Sequence, residues 1–186
     1  MREIEIKLPF ADANEARRRL GLAGAVAKFP RGFEDNRVYD NAERSFSRDW
    51  RLLRLRSTRG RHILTYKHPP ERSEEGTRYK VRMEHETEIA NLEGIQEILR
   101  AIGYEEIWRY QKQRQRYELD GVILELDEMP FGVYLELEGA PADIDRVAAA
   151  LSFSRDDYIQ ATYRELYCAK TGSDDPGDLL FEGQEG

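Results

Sequence analysis

The chain has 186 residues, of which 40% are hydrophobic and 10% aromatic, a length and composition that suit one folded domain with a sizeable core. Charged residues make up 35% of the chain, yet the net charge is only −7, so acids and bases are both abundant and must lie near each other. The acidic balance argues against a generic nucleic-acid or anionic-membrane surface, no stretch approaches the roughly 20 apolar residues that span a bilayer, and the single cysteine, Cys168, excludes an internal disulfide.

The opening run Arg2-Glu-Ile-Glu-Ile-Lys-Leu8 alternates strictly, which predicts a strand with Glu3, Glu5 and Lys7 on one face and Arg2, Ile4, Ile6 and Leu8 on the other. Ala11 to Leu20 reads as a short helix capped by Asp12, followed by a connection from Leu22 to Pro30. Phe33 to Asp40 reads as extended. Trp50 to Ser57 places Leu52, Arg54 and Arg56 together, Gly60 marks a turn, and Ile63 to Lys67 puts Thr65 and Lys67 on one side. His68-Pro69-Pro70 ends that strand, and the polar run Glu71 to Thr77 reads as an exposed loop.

Tyr79 to Ile89 follows, with Lys80, Arg82, Glu84, Glu86 and Glu88 on one face. Asn91 caps a helix through Ile102, with Leu92, Ile95, Ile98, Leu99 and Ile102 at helical spacing and Gly103 stopping it. Three more strands, Trp108 to Leu119, Val122 to Asp127 and Val133 to Glu138, carry Lys112, Arg114 and Arg116, then Glu125 and Asp127, then Glu136 and Glu138. Ala142 to Leu151 and Asp156 to Ala169 read as closing helices, and the Gly-, Asp-, Pro- and Glu-rich segment from Thr171 onward as a disordered acidic tail. There is no internal repeat.

At least six strands thus carry two or more charges on a single face, and acid-rich faces alternate with base-rich ones. A solvated outer face would account for any one strand, but it gives no reason for blocks such as Arg-x-Arg, Lys-x-Arg and Glu-x-Glu. A closed barrel with a polar interior and an apolar exterior packed under helices would produce them. Polyphosphate calls for several guanidinium and ammonium groups, and a divalent metal such as Mg²⁺ or Mn²⁺ calls for carboxylates, so one ligand could hold both strand types together. Buried like charges cost several kcal/mol each unless neutralised, on the order given for isolated buried ions.

Taken in order, these motifs resemble the CYTH superfamily, also called triphosphate tunnel metalloenzymes, which includes class IV adenylyl cyclases, thiamine triphosphatases and inorganic triphosphatases. Glu3-Ile-Glu-Ile-Lys7 resembles its ExExK signature, Leu53-Arg-Leu-Arg56 its LRxR strand and Leu64-Thr-Tyr-Lys67 its lysine strand. Arg82-Met-Glu84, Lys112-Gln-Arg114, Leu124-Glu-Leu-Asp127 and Glu136-Leu-Glu138 resemble the strands that follow. Phe33-Glu-Asp-Asn36, Tyr39-Asp40, Asp157-Tyr-Ile and Tyr163-Arg-Glu-Leu-Tyr167 look most like the class IV cyclase branch, several of whose members act on inorganic triphosphate.

The resemblance implies an α+β fold: a closed antiparallel β-barrel of about eight strands with a charged tunnel, flanked by helices, over residues 1–170, with 171–186 as the tail. Carried over by position, Glu3, Glu5, Glu136 and Glu138 would hold Mg²⁺ or Mn²⁺, with Asp127 available for a second metal or for the nucleophile. Lys7, Arg54, Arg56, Lys67, Arg82, Lys112 and Arg114 would cradle the phosphates, and Glu5, Lys7 and Asp127 would carry the chemistry. Arg116, Lys80, Glu86, Glu88 and Glu125 share the charged faces with a poorer motif match, and His62, His68 and His85 read as ordinary strand or surface residues.

The implied activity is conversion of ATP to cyclic AMP and pyrophosphate. A triphosphatase acting on inorganic or thiamine triphosphate is the alternative, and a non-catalytic binder of polyphosphate or phosphometabolites is a reading of another class. RNA 5′-triphosphates are disfavoured by the net acidity. With no signal peptide, the expected location is the cytoplasm, and the cyclase branch often forms homodimers.

Overall fold

The computed structural model describes residues 1–71 and 77–183, so the polar loop expected between Glu71 and Thr77 lies mostly outside the described residues. The strands run in chain order as β1 (Arg2–Phe10), β2 (Val26–Ala27), β3 (Gly32–Asn41), β4 (Leu52–Thr58), β5 (Arg61–His68), β6 (Lys80–Ile89), β7 (Tyr104–Leu119), β8 (Val122–Met129) and β9 (Gly132–Glu138). The helices are α1 (Ala13–Leu22), α2 (Ser45–Arg48), α3 (Leu92–Ala101), α4 (Pro141–Ala150) and α5 (Tyr163–Thr171). None is long and apolar enough to cross a membrane among the described residues.

Eight strands close into one antiparallel barrel in the order β7-β3-β4-β5-β6-β1-β9-β8, the last pairing back to β7. β2 stands outside it, paired to the far end of β7 through Val26 and Glu118. Alternation along each strand sends charges inward and aliphatics outward. Ile6, Leu8, Leu124, Leu126, Leu135 and Leu137 are fully buried on the outer surface, covered by Ala16 and Leu20 of α1 and Ile144 and Val147 of α4. Burying a large aliphatic side chain contributes roughly 1.5–3 kcal/mol, so this outer layer is the main apolar support for a barrel whose inside is polar.

A second outer cluster forms where Leu99 of α3 meets Leu55 and Tyr39. Leu92 and Ile95 pack against it, whereas Ile98 and Ile102, which share the helical spacing, are exposed, because the helix covers only one side of the barrel. Helix starts follow the capping chemistry read from the sequence. Asp12 accepts the backbone N–H of Asn14 and Glu15, and Asn91 accepts that of Gly94. The short α2, absent from the sequence reading, is held by Asp40, whose carboxylate accepts the N–H groups of Phe46 and Ser47.

Two expectations are corrected. The helix expected over Asp156 to Ala169 is split into a 3₁₀ turn at Arg155–Asp157, an extended stretch, and α5. Asp157 folds back onto the N–H and hydroxyl of Ser154, and Ile159 exchanges two 3.0 Å backbone hydrogen bonds with Lys7, so the intervening chain is drawn out as an extra bridge on β1. A fresh capping box at Thr162 and Glu165 then starts α5.

The acidic tail is also ordered over the described residues up to Gly183. Leu179 is buried in the cluster of Val38, Trp108, Tyr110 and Tyr163 and pairs in parallel with Tyr110, its backbone bonded to Arg109 and Gln111. β8 pairs with β7 only from Gln113 onward, so the tail occupies an edge of β7 that β8 leaves free. Composition missed this because one buried leucine and a run of backbone hydrogen bonds suffice to anchor an otherwise polar segment.

Candidate active site

The barrel encloses a cavity of about 890 Å³ lined from all eight of its strands and from α5. Glu3, Glu5, Lys7, Arg54, Arg56, Lys67, Arg82, Lys112, Arg114, Glu136 and Glu138 all line it. Lys80, Glu86, Arg116 and Glu125 do so as well, whereas Glu88 is exposed and pairs with Arg61 at the rim. The three histidines are not among the lining residues. His62 bonds Ser57, and His68 stacks on His85.

Strand register assembles the acidic side. Glu5 lies opposite Glu138 and Lys7 opposite Glu136 across β1 and β9, while Glu3 and Glu5 face Arg82 and Lys80 across β1 and β6. Glu3 accepts from Lys67 Nζ at 2.7 and 2.8 Å, and Lys67 also reaches Glu84 at 3.0 Å. Glu5 accepts from Lys80 at 2.8 Å and, more loosely, from Lys7 at 3.5 Å, and Lys7 sits 3.1 Å from Glu136. Among the described residues Glu138 has neither a hydrogen bond nor an ion pair.

These surroundings set the protonation of each carboxyl. Burial works against ionisation of Glu5, but Lys7 and Lys80 outweigh it and hold its pKa at about 2. Glu136 is likewise held well below the usual range against burial, by Lys7 and Arg114. Glu3 is raised, by burial and by the charge of Glu5, in spite of Lys67. Glu138 is pushed up to about 7 by burial and by Glu3 and Glu125. Burial and neighbouring acids thus raise Glu3 and Glu138, while Lys7, Lys80 and Arg114 keep Glu5 and Glu136 low.

On the basic side, Arg54 reaches only the hydroxyls of Tyr110 at 3.2 Å and Thr65 at 3.4 Å, with Glu86 at 3.7 Å, and Arg56 pairs with Glu86 at 3.2 Å. Arg82 has no ion pair among the described residues, and burial lowers its pKa. The Nε groups of Arg54, Arg56 and Arg82 are all buried without a hydrogen-bond partner. An unmet guanidinium donor out of water costs about 1–3 kcal/mol or more, so these three, with the unmet Arg51 Nε in the same lining, point to an anionic ligand that would satisfy them.

Asp127 is not among the residues that line the cavity. It is fully buried and its carboxylate accepts from Lys112 Nζ at 2.9 Å, Arg114 Nε at 2.6 Å, Arg114 Nη2 and the Tyr163 hydroxyl at 2.7 Å. Four donor groups of three residues already meet its oxygens. Arg114 also reaches Glu136, so this buried acid holds two of the expected phosphate contacts in place.

Glu34 and Asn36 on β3 and Tyr163 on α5 entered the sequence reading only within motifs of the cyclase branch, with no site role, and Tyr110 on β7 did not enter it as a site residue. Glu34 and Asn36 are buried behind the cavity lining, and Glu34 Oε2 and both polar atoms of the Asn36 side chain lack hydrogen bonds. Tyr110 carried no signal, since an aromatic in such a position reads as core.

No three carboxylate, imidazole or thiol groups converge as a ready metal cluster among the described residues, and Glu3 and Glu5 hold lysines instead. The donor chemistry still suits a hard divalent cation. Glu3, Glu5, Glu136 and Glu138 are all oxygen donors on the adjacent strands β1 and β9, and burial together with neighbouring acids raises Glu3 and Glu138.

Fold and site together define a class: an eight-stranded barrel that encloses facing sets of carboxylates and basic groups. The CYTH domain model matches residues 1–165, and the chain belongs to the CYTH family. A protein of Methanocaldococcus jannaschii, provisionally named an adenylate cyclase, is 28% identical over 178 residues, 89% of this chain and 98% of that one. Among solved structures, a provisionally named adenylate cyclase from Vibrio parahaemolyticus superposes with a TM-score of 0.75 at 20% identity, covering 89% of this chain and 97% of its own. A Hippeastrum protein described as a provisional adenylyl cyclase with a dominant triphosphatase activity gives 0.60 at 22% identity, covering 94% and 98%.

Proposed function

We propose that the protein is a divalent-metal-dependent enzyme that binds a triphosphate inside its barrel and, in the manner of a class IV adenylyl cyclase, converts ATP to cyclic AMP and pyrophosphate. The observation that carries the reading is the set of three buried, unpartnered guanidinium Nε groups on Arg54, Arg56 and Arg82, which lie in one cavity with the carboxylates of β1 and β9. Arg54, Arg56 and Arg82 bind and orient the phosphoryl oxygens, Lys7 and Lys67 add positive charge as their carboxylate partners turn to the metal, and Lys112 and Arg114 add theirs while held by Asp127. Glu3, Glu5, Glu136 and Glu138 would hold Mg²⁺ or Mn²⁺. A bound divalent ion supplies charge neutralisation at the phosphates and favours displacement at phosphorus.

In the cyclase reaction the ribose 3′-hydroxyl forms a bond to the α-phosphorus, the α–β bridging bond breaks, and pyrophosphate leaves. The chain contributes chiefly by position and by fixed positive charge in a site largely withdrawn from water. The second reading is a triphosphatase, in which water attacks the terminal phosphorus, the bridging bond to the next phosphate breaks, and the shortened phosphate chain leaves as orthophosphate is formed. It is supported by the dominant triphosphatase activity ascribed to the Hippeastrum protein of the same fold.

The test is to incubate the protein with Mg²⁺ or Mn²⁺ and ATP, inorganic triphosphate or thiamine triphosphate, and to measure cyclic AMP, pyrophosphate and orthophosphate separately. Cyclic AMP with equimolar pyrophosphate supports the cyclase, and orthophosphate without cyclic AMP supports the triphosphatase, accompanied by equimolar pyrophosphate when the substrate is inorganic triphosphate. Tight binding with no product from any substrate overturns both and leaves a polyphosphate binder.

A further inference from the structure

The buried acid Asp127 and the helix that closes the barrel are joined by one side chain. Tyr163, the first residue of α5, donates its hydroxyl to Asp127 at 2.7 Å. The ammonium groups of Lys7 and Lys112 each lie 5.3 Å from the centre of its ring. Asp127 in turn accepts from Lys112 and from Arg114. Three cations from two distant strands are therefore arranged around a single phenol.

We infer that Tyr163 is a positioning residue: by donating to Asp127 and facing Lys7 and Lys112, it fixes where the cations of the phosphate cradle point. This inference rests on the proposed triphosphate site.

The physical argument starts from competition for one carboxylate. Asp127 is fully buried, so both of its oxygens must be satisfied by protein donors. With the Tyr163 hydroxyl in place, one share of that capacity is met from α5 and the remainder is left to Lys112 and Arg114. Without the hydroxyl, Asp127 draws the two cations more tightly toward itself and away from the cavity. The ring adds a second constraint, since an ammonium over an aromatic face is held by the quadrupole without being neutralised. The ring thus adds a fixed direction to two ammonium groups that also have carboxylate partners, Lys7 with Glu5 and Glu136 and Lys112 with Asp127 and Glu34.

Helix α5 is well placed to carry this residue. Its first turn is fixed by the capping box of Thr162 and Glu165, with hydrogen bonds of 2.6 and 2.8 Å to the Glu165 carboxylate. The chain just before it is tied to β1 by the Lys7–Ile159 bridge, so the same strand residue touches Tyr163 both through its backbone neighbour and through its side chain.

The test compares wild type with Tyr163→Phe, Asp127→Asn and the double variant, each checked for folding by circular dichroism and thermal melting. Inorganic triphosphate is titrated calorimetrically, and the surroundings of the buried Lys112 ammonium are read from its side-chain signal in NMR spectra of protein labelled with ¹⁵N-lysine. In Tyr163→Phe the triphosphate Kd is expected to rise about tenfold, the order of one charge-assisted contact, with kcat little changed and the Lys112 signal displaced. The double variant is expected to lose no more than Asp127→Asn alone, since both residues act through one carboxylate.

A folded Tyr163→Phe with an undisplaced Lys112 signal overturns the inference, as do fully additive losses. Failure of wild type to bind triphosphate would overturn the proposed function, while the Lys112 signal would still decide the role of Tyr163.

Discussion

Glu5 and Glu138 are register partners across β1 and β9, yet one ionises near pH 2 and the other near pH 7. Two lysines pair with Glu5, and among the described residues none pairs with Glu138. A cavity that leaves one carboxylate without an ion pair among the described residues and guanidinium Nε groups without acceptors is organised for a ligand pair of both signs.

The pH dependence of metal-free stability follows from Glu138. Its ordinary pKa is 4.5, so between that value and about 7 the folded state holds a proton that the unfolded chain has lost. Stability from this group therefore falls as pH rises through that window. Glu138→Gln is expected to remove the fall, so that the variant gains on wild type between pH 5 and 7.5. Parallel denaturant titrations at several pH values measure it, and a constant difference between the two proteins would contradict the assignment.

Arg82 separates binding from stability. It is buried and has no ion pair among the described residues, so Arg82→Ala removes a desolvated charge without stranding a partner. Triphosphate binding is expected to weaken by about 1.5–3 kcal/mol, while the melting temperature stays level or rises. Calorimetry and thermal melting on the same sample check both, and a strongly destabilised variant would mean that Arg82 supports the fold.

Leu179 tests the docking of the tail. It is nearly fully buried against Trp108 and Tyr110, so Leu179→Ala is expected to cost about 2–4 kcal/mol, as other core leucine truncations do. Urea unfolding measures it. A change near zero would mean that the acidic segment contributes nothing to the barrel.

Much of this architecture was legible because strand alternation has a period of two, and charge on that period is rare enough to be read. The inward set Glu3, Glu5, Lys7, Arg54, Arg56, Lys67, Arg82, Lys112, Arg114, Glu136 and Glu138 was legible from that spacing and from the family motifs. The spacing could not show which charges are spent on each other. Asp127 sits on the same face as Glu125, but its burial behind Lys112, Arg114 and Tyr163 depends on a helix more than thirty positions away. The break at Ile159 was hidden for a similar reason, since a strand bridge to Lys7 overrides local helix preference. The docked tail was hidden by its composition, which resembles that of unstructured segments.

The most direct test of the account is metal-dependent turnover of a triphosphate by wild type and by Glu5→Gln. Glu5 is central to the acidic wall and is bonded to Lys80 and Lys7, so the variant should melt several degrees lower yet remain folded. With Mg²⁺ or Mn²⁺, wild type should release pyrophosphate or orthophosphate while folded Glu5→Gln loses at least a hundredfold in rate. Equal rates in the two proteins, or wild-type turnover indifferent to chelation of the metal, would contradict it.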